Sequence, residues 1–199
     1  MRIYFIRHGE TAWNRKLKIQ GQADIPLNSA GKKQASLAAG KLAMYPVDIA
    51  YTSPLKRARE TAEIMLARRS DCPLYVNPLL KEISYGVREG QSLFAIRSCP
   101  FFRLHTYFAH PEKYIPPTGG ETIPELKVRC QKFLNKEILC LDPKISGIMV
   151  FTHGAFIRAA IGLINQIPDR DFWAGPELKN CEIVTCELEN GRLGLISAL

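Results

Sequence analysis

Ile3-Tyr4-Phe5-Ile6-Arg7-His8-Gly9-Glu10-Thr11 opens with an apolar run that stops abruptly at an arginine, a histidine and a glycine. The pattern returns far downstream, where Gly147-Ile148-Met149-Val150-Phe151-Thr152 leads into His153-Gly154. Both runs are short, apolar and without alternation, as in strands covered on both faces of a parallel sheet. Ligands of open α/β sheets sit beyond the carboxyl ends of the strands. The two imidazoles are therefore expected to face one pocket, with Arg7 beside them.

Working outward, residues 9–27 show no periodicity and contain Gly9, Gly21 and Pro26, so they read as a long loop at the end of the first strand. Unstructured stretches of this length are usually functional. Ser29 then reads as the cap of a helix with Ala35, Ala38, Leu42 and Tyr45 on one face, stopped by Pro46. Ile49 to Ser53 is a second strand, and Ser53-Pro54 reads as a cap followed by proline at the first helical position. Leu55, Ala58, Ala62 and Met65 point inward from that helix. Arg57 falls in its first turn, where free N–H groups and positive potential suit an anion.

Pro73 to Val76 reads as a short edge strand, and residues 79–90 as a Gly-rich loop carrying Glu82 and Glu89. Composition shifts over residues 91–117, where Phe94, Phe101, Phe102, Tyr107, Phe108 and Tyr114 are mixed with Arg97, Arg103, His105 and His110. This segment is expected to be a partly helical insertion or lid with a small aromatic core. After the turn Pro116 to Gly120, Glu121 opens a long helix with Ile123, Leu126, Cys130, Phe133 and Leu134 inward. The strand into His153 and a helix over 155–165 follow. Cys181 to Leu188 and Leu193 to Ala198, joined by Asn190-Gly191, form an expected terminal hairpin.

At 199 residues and 46% hydrophobic content the chain suits one well-buried core, so 1–199 is expected to be a single domain. A net charge of +8 favours acidic partners. The basic residues are scattered without an aromatic-interleaved stripe, which argues against nucleic acid. The six cysteines contain no C-x-x-C pair or metal-ligand spacing, and read as reduced, mostly buried thiols of a cytoplasmic protein. No apolar run approaches a signal peptide or a membrane span.

Three strand ends thus converge: Arg7 and His8 from the first, Arg57 after the second, His153 from a later one. Guanidinium forks match phosphate oxygens and stay charged at any working pH. Imidazole serves as nucleophile, acid or base. Glu82 is the best carboxylic acid for protonating a leaving alkoxide. Metal binding is a rival use of the histidines, but no i,i+4 His pair or carboxylate cluster accompanies them.

The set Arg7-His8-Gly9-Glu10-Thr11, with Trp13-Asn14 shortly after, resembles the signature of the histidine phosphatase superfamily in its phosphoglycerate-mutase-like branch. The likeness continues, in family order, through Gln20-Gly21, Ser53-Pro54-Leu55 to Thr61-Ala62, Leu80-Lys81-Glu82 to Gly90, Gly119-Gly120-Glu121 and Thr152-His153-Gly154. It implies a three-layer α/β/α sandwich with a mostly parallel central sheet. By matching position, it implies His8 as phosphoryl-accepting nucleophile, Arg7, Arg57 and His153 as binders of the phosphoryl oxygens, and Glu82 as proton donor. Asn14, Gln20, Gly21 and Gly154 would complete the phosphate cradle. No cofactor or metal is implied, and the partner is a small phosphorylated substrate bound by a monomer or homodimer.

Ser84 and Arg88 stand where the family often has Asp and Trp, so substrate-side packing there is expected to differ. Glu89 also fits the acid's pattern and reads as structural beside the preferred Glu82. Gln20-Gly21 and the modest insertion look more like the branch's phosphatases than its glycolytic mutases. The expectation is a metal-independent phosphomonoesterase, with a bisphosphate-dependent phosphoglycerate mutase and a non-catalytic phosphate-binding module as alternatives. Arg97, Arg103 and His105 are candidates for reaching a second anionic group.

Overall fold

A computed structural model describes residues 1–42, 45–94 and 103–198. Six strands form one sheet in the order β3-β2-β4-β1-β5-β6. They are β1 (Arg2–Arg7), β2 (Ile49–Thr52), β3 (Leu74–Val76), β4 (Gly147–Thr152), β5 (Ile183–Glu189) and β6 (Arg192–Ala198). The first four run parallel, and β5 and β6 add an antiparallel hairpin beyond β1. Asn190 and Gly191 turn that hairpin with φ of 50° and 74°, the left-handed pair a two-residue turn needs.

β1 shows why its sequence lacks alternation. Ile3 and Phe5 enter the core on one face of the sheet, and Tyr4 and Ile6 enter the core on the other. The second face is covered by α2 (Ser29–Leu42) and α3 (Lys56–Leu66), which bury Ala35, Ala38, Leu42, Ala62 and Met65. The first is covered by α5 (Ile123–Phe133) and α6 (Gly154–Ile164), through Leu126, Cys130, Phe133, Phe156 and Ala160. The result is the three-layer α/β/α sandwich that the resemblance implied.

Parallel register aligns the functional ends. Arg7 pairs with Thr152, and Thr52 with Phe151, so β1, β4 and β2 release His8, His153 and Ser53 at one level. The long loop after β1 is less irregular than its sequence suggested. It contains a one-turn helix, α1 (Ala12–Arg15), whose N-cap Thr11 accepts from the Asn14 N–H.

Two caps differ from expectation. Ser29 lies inside α2, and the Asn28 side chain accepts from the Gly31 N–H at 2.8 Å instead. Ser53 does not cap α3, which starts at Lys56 after Leu55. The long helix α5 starts two residues later than the Glu121 opening suggested, with Thr122 and Glu125 forming a reciprocal capping box.

Within residues 91–117 the structure places α4 (Arg103–Ala109) and a 3-10 turn over Pro111–Lys113. Tyr107, Phe108 and Tyr114 join the main core, Phe94 is exposed, and Phe101 and Phe102 lie outside the described residues. Tyr107 packs against Tyr85 and Tyr114, and against Phe172 and Trp173 from the far end of the chain.

Candidate active site

His8 is fixed from several sides. Its N–H reaches the Thr152 carbonyl at 3.0 Å, and its own carbonyl accepts from Asn180 Nδ2 at 2.9 Å. The next residue, Gly9, donates from its N–H to Thr61 Oγ1 at 3.0 Å, and a Cβ there would meet the Gly31 carbonyl oxygen at 2.7 Å. The ring Nδ1 of His8 lies 2.7 Å from the Gly9 carbonyl oxygen. A carbonyl only accepts, so Nδ1 carries the proton and Nε2 keeps its lone pair. Burial, and then the charges of Arg57 and Arg7, push the His8 pKa well below its usual value, which keeps the ring neutral.

His153 stands beside it, with ring centroids 5.2 Å apart. Its Nε2 is 2.8 Å from Ser53 Oγ, the residue that the sequence reading made a helix cap. Burial and Arg57 also hold its pKa well down. Its Nδ1 is buried without a hydrogen-bond partner, as are Arg7 Nε and Arg57 Nε. The two guanidinium Nε–H groups thus keep unused donor capacity beside the nucleophile candidate, an arrangement that suits an anion.

The arginines are themselves held by the chain. Arg57 donates from Nη1 to the Ala23 carbonyl and from Nη2 to the Gly21 carbonyl, both at 2.7 Å. Burial lowers its pKa to about 10, still cationic at neutral pH. Arg7 Nη1 donates to the Leu178 carbonyl. Glu82 is half-buried near these cations, with Oε1 accepting from the Ile83 N–H at 3.0 Å and Oε2 from the Ala155 N–H at 3.3 Å. Desolvation raises its pKa, and Arg57 pulls in the opposite direction without cancelling it.

These groups open on a cavity of about 320 Å³. Arg7, His8, Asn14, Gln20, Gly21, Arg57, Glu82 and Gly154 all line it, whereas His153 lies behind the wall next to His8. Ile19, Tyr85, Leu93, Phe108 and Trp173 add apolar lining, and Lys18, Arg158 and Glu177 add charge. Glu89 sits elsewhere, accepting from the Gln22 and Tyr85 N–H groups as the structural carboxylate expected. Ser84 and Arg88 do not line the cavity. Ser84 Oγ donates to the Gly119 carbonyl at 2.8 Å, tying its loop to the neighbouring turn. His105 does not line it either, and Arg97 and the side chain of Arg103 lie outside the described residues.

A sequence model, described as histidine phosphatase superfamily (branch 1), matches residues 3–198 of this chain. The chain belongs to that superfamily. The uncharacterized phosphatase PhoE of Bacillus subtilis is 35% identical over 94% of this chain and 86% of that protein. A probable phosphoglycerate mutase, GpmB, of Photorhabdus laumondii is 33% identical over 84% of this chain and 76% of its own length. Among solved structures, a mutant phosphoserine phosphatase of Entamoeba histolytica in complex with phosphoserine superposes with a TM-score of 0.84. It shares 26% identity over 99% of this chain and 95% of that one. Superfamily and neighbours together support a phosphatase-type enzyme.

Several wall and support residues of this superfamily member escaped the sequence reading. Asn180, Leu178 and Trp173 act from irregular segments, and Phe108 from the aromatic segment expected to form a small core of its own. Arg158 donates to the Ala174 carbonyl at 2.5 Å and to the Pro176 carbonyl, so it holds the segment that meets Arg7. Among the described residues no three His, Cys, Asp or Glu side chains group as metal ligands, and no helix is long and apolar enough to cross a membrane.

Proposed function

We propose that the protein hydrolyses a small phosphate monoester through a phosphohistidine on His8. The observation that carries this reading is the neutral His8 ring, pinned at Nδ1 by the Gly9 carbonyl and leaving Nε2 as the nucleophilic nitrogen in a wall of the cavity. Nε2 attacks phosphorus, the P–O ester bond breaks, and the leaving alkoxide takes the proton of Glu82. The Glu82 carboxylate then removes a proton from water, whose oxygen attacks phosphorus. The N–P bond breaks, and inorganic phosphate and the original ring are released. Arg7 and Arg57 stabilise the phosphoryl oxygens, His153 backs His8 from behind the cavity wall, and Asn14, Gln20, Gly21 and Gly154 shape the cradle. The two guanidiniums supply the positive charge, so turnover is expected to survive chelating agents.

The alcohol portion rests against the apolar lining of Phe108, Trp173 and Leu93. Phosphoserine, bound by the solved relative, and phosphoglycerates, named for the mutase relatives, are the first esters to try. A panel of phosphorylated metabolites tests the reading through release of inorganic phosphate. Interconversion of monophosphoglycerates that depends on a bisphosphoglycerate primer, without such release, would instead favour a mutase.

A further inference from the structure

The segment that carries Glu82 has no ladder of its own. It comprises a 3-10 turn over Pro78–Leu80 followed by extended chain, and its carbonyls are taken up by side chains from elsewhere. Leu80 O accepts from Thr152 Oγ1 at 2.8 Å, and Glu82 O from Gln22 Nε2 at 3.1 Å. Three further contacts come from a single guanidinium on α5. Arg129 Nη1 donates to Leu79 O at 2.5 Å and to Lys81 O at 2.7 Å, and Nη2 reaches Glu82 O at 3.4 Å.

Arg129 is in turn aimed by Glu121. Its Nε meets Glu121 Oε1 at 2.9 Å and its Nη2 meets Oε2 at 2.7 Å, a two-pronged pair with both side chains 16% exposed. The backbone of Glu121 holds the same segment from its other end, because its N–H donates to the Ser84 carbonyl at 2.9 Å. The Arg129 guanidinium also lies 5.9 Å from the ring of Phe156, on the helix whose Ala155 N–H meets Glu82. Among the described residues the Glu82 carboxyl accepts hydrogen bonds from backbone N–H groups alone. Its place in the cavity therefore follows from where this backbone is held.

We propose that the Arg129–Glu121 pair is a positioning device for proton donation, setting the Glu82 carboxyl at the leaving oxygen without touching substrate. Only a planar fork with several donors can face a carboxylate on one side and three carbonyls on the other. A lysine keeps the charge and loses the fork. This inference rests on the proton-donor role of Glu82 proposed above, and the test separates the two.

The test compares Arg129→Lys, Glu121→Gln and Glu82→Gln on two esters: dinitrophenyl phosphate, whose leaving group needs no proton, and benzyl phosphate, whose alkoxide does. Glu82→Gln should lose far more activity on benzyl phosphate. Arg129→Lys should follow the same pattern, losing about 10- to 100-fold in kcat on the benzyl ester and roughly twofold or less on the dinitrophenyl ester. Glu121→Gln should lie between Arg129→Lys and the wild type, and it decides the matter if Arg129→Lys does not fold. A pair that only stabilises the fold would lower the melting temperature and reduce both rates equally. That result, beside a selective Glu82→Gln, overturns the positioning role. Equal losses in Glu82→Gln itself overturn the proton-donor assignment, and the catalytic meaning of the pair with it.

Discussion

Arg57 and Gly21 fix one another: the arginine's Nη2 donates to the glycine's carbonyl at 2.7 Å, joining positions 36 apart in sequence. Gly21 adopts a left-handed φ of 52°, and that conformation belongs to the loop whose Gly21 and Ala23 carbonyls Arg57 holds. The cation is thereby fixed before any ligand arrives. Preorganised charge of this kind stabilises a phosphoryl-transfer transition state without reorganisation at the moment of reaction.

Arg57→Lys should therefore be damaging although it preserves charge. One ammonium cannot span both carbonyls and still face the cavity, so kcat/KM should fall about 100-fold on aryl and alkyl esters alike. Steady-state kinetics with both ester types would check this. A loss under about fivefold would show that charge alone suffices.

Gly21→Ala attacks the same relationship from the other side. A Cβ at Gly21 would stand 2.1 Å from Glu89 Oε1, the oxygen that accepts from Gln22 and Tyr85. The left-handed backbone alone costs roughly 1–2 kcal/mol with a side chain present, and the clash adds to it. Urea unfolding should show at least that loss, together with a raised KM. Wild-type stability would mean that the loop relaxes freely.

Stability should fall in mild acid. His8 and His153 are held neutral, with folded pKa values well below the ordinary value. The unfolded chain takes up protons near pH 6.5 that the folded chain refuses, so their contribution is present above about pH 6.5 and is lost as pH drops through it. Glu82 has the opposite sign. Its raised folded pKa makes its contribution fall as pH rises through that value. Two strongly shifted histidines outweigh one carboxyl, and unfolding free energy should drop by at least about 1 kcal/mol between roughly pH 7.5 and 5.5. His8→Asn should flatten the slope, and an equal slope in that variant would remove His8 as its cause.

The sandwich was legible because β1 and β4 are buried on both faces, which leaves unbroken apolar runs with chemistry at their ends. The pocket membership of Arg7, His8, Arg57 and Glu82 followed from the same strand ends and from family motifs. Local signals misled where a side chain had a distant partner. Ser53 has the form of a cap, yet its hydroxyl meets His153 100 positions away. Asn28, beside the expected cap Ser29, closes α2 and also bonds Glu10 Oε1 at 2.6 Å. Arg129, Asn180 and Arg158 bind carbonyls of irregular segments, an interaction that leaves no period or spacing in the sequence.

The most direct measurement is chemical trapping of the intermediate. Rapid acid-free quenching during turnover of an unlabelled monoester, followed by 31P NMR of the denatured chain, should find phosphate on Nε2 of His8. It should be stable in alkali, labile in acid and absent from His8→Ala, which should also lose turnover. Full turnover by His8→Ala, or a phosphoryl group trapped on another side chain, would contradict the account.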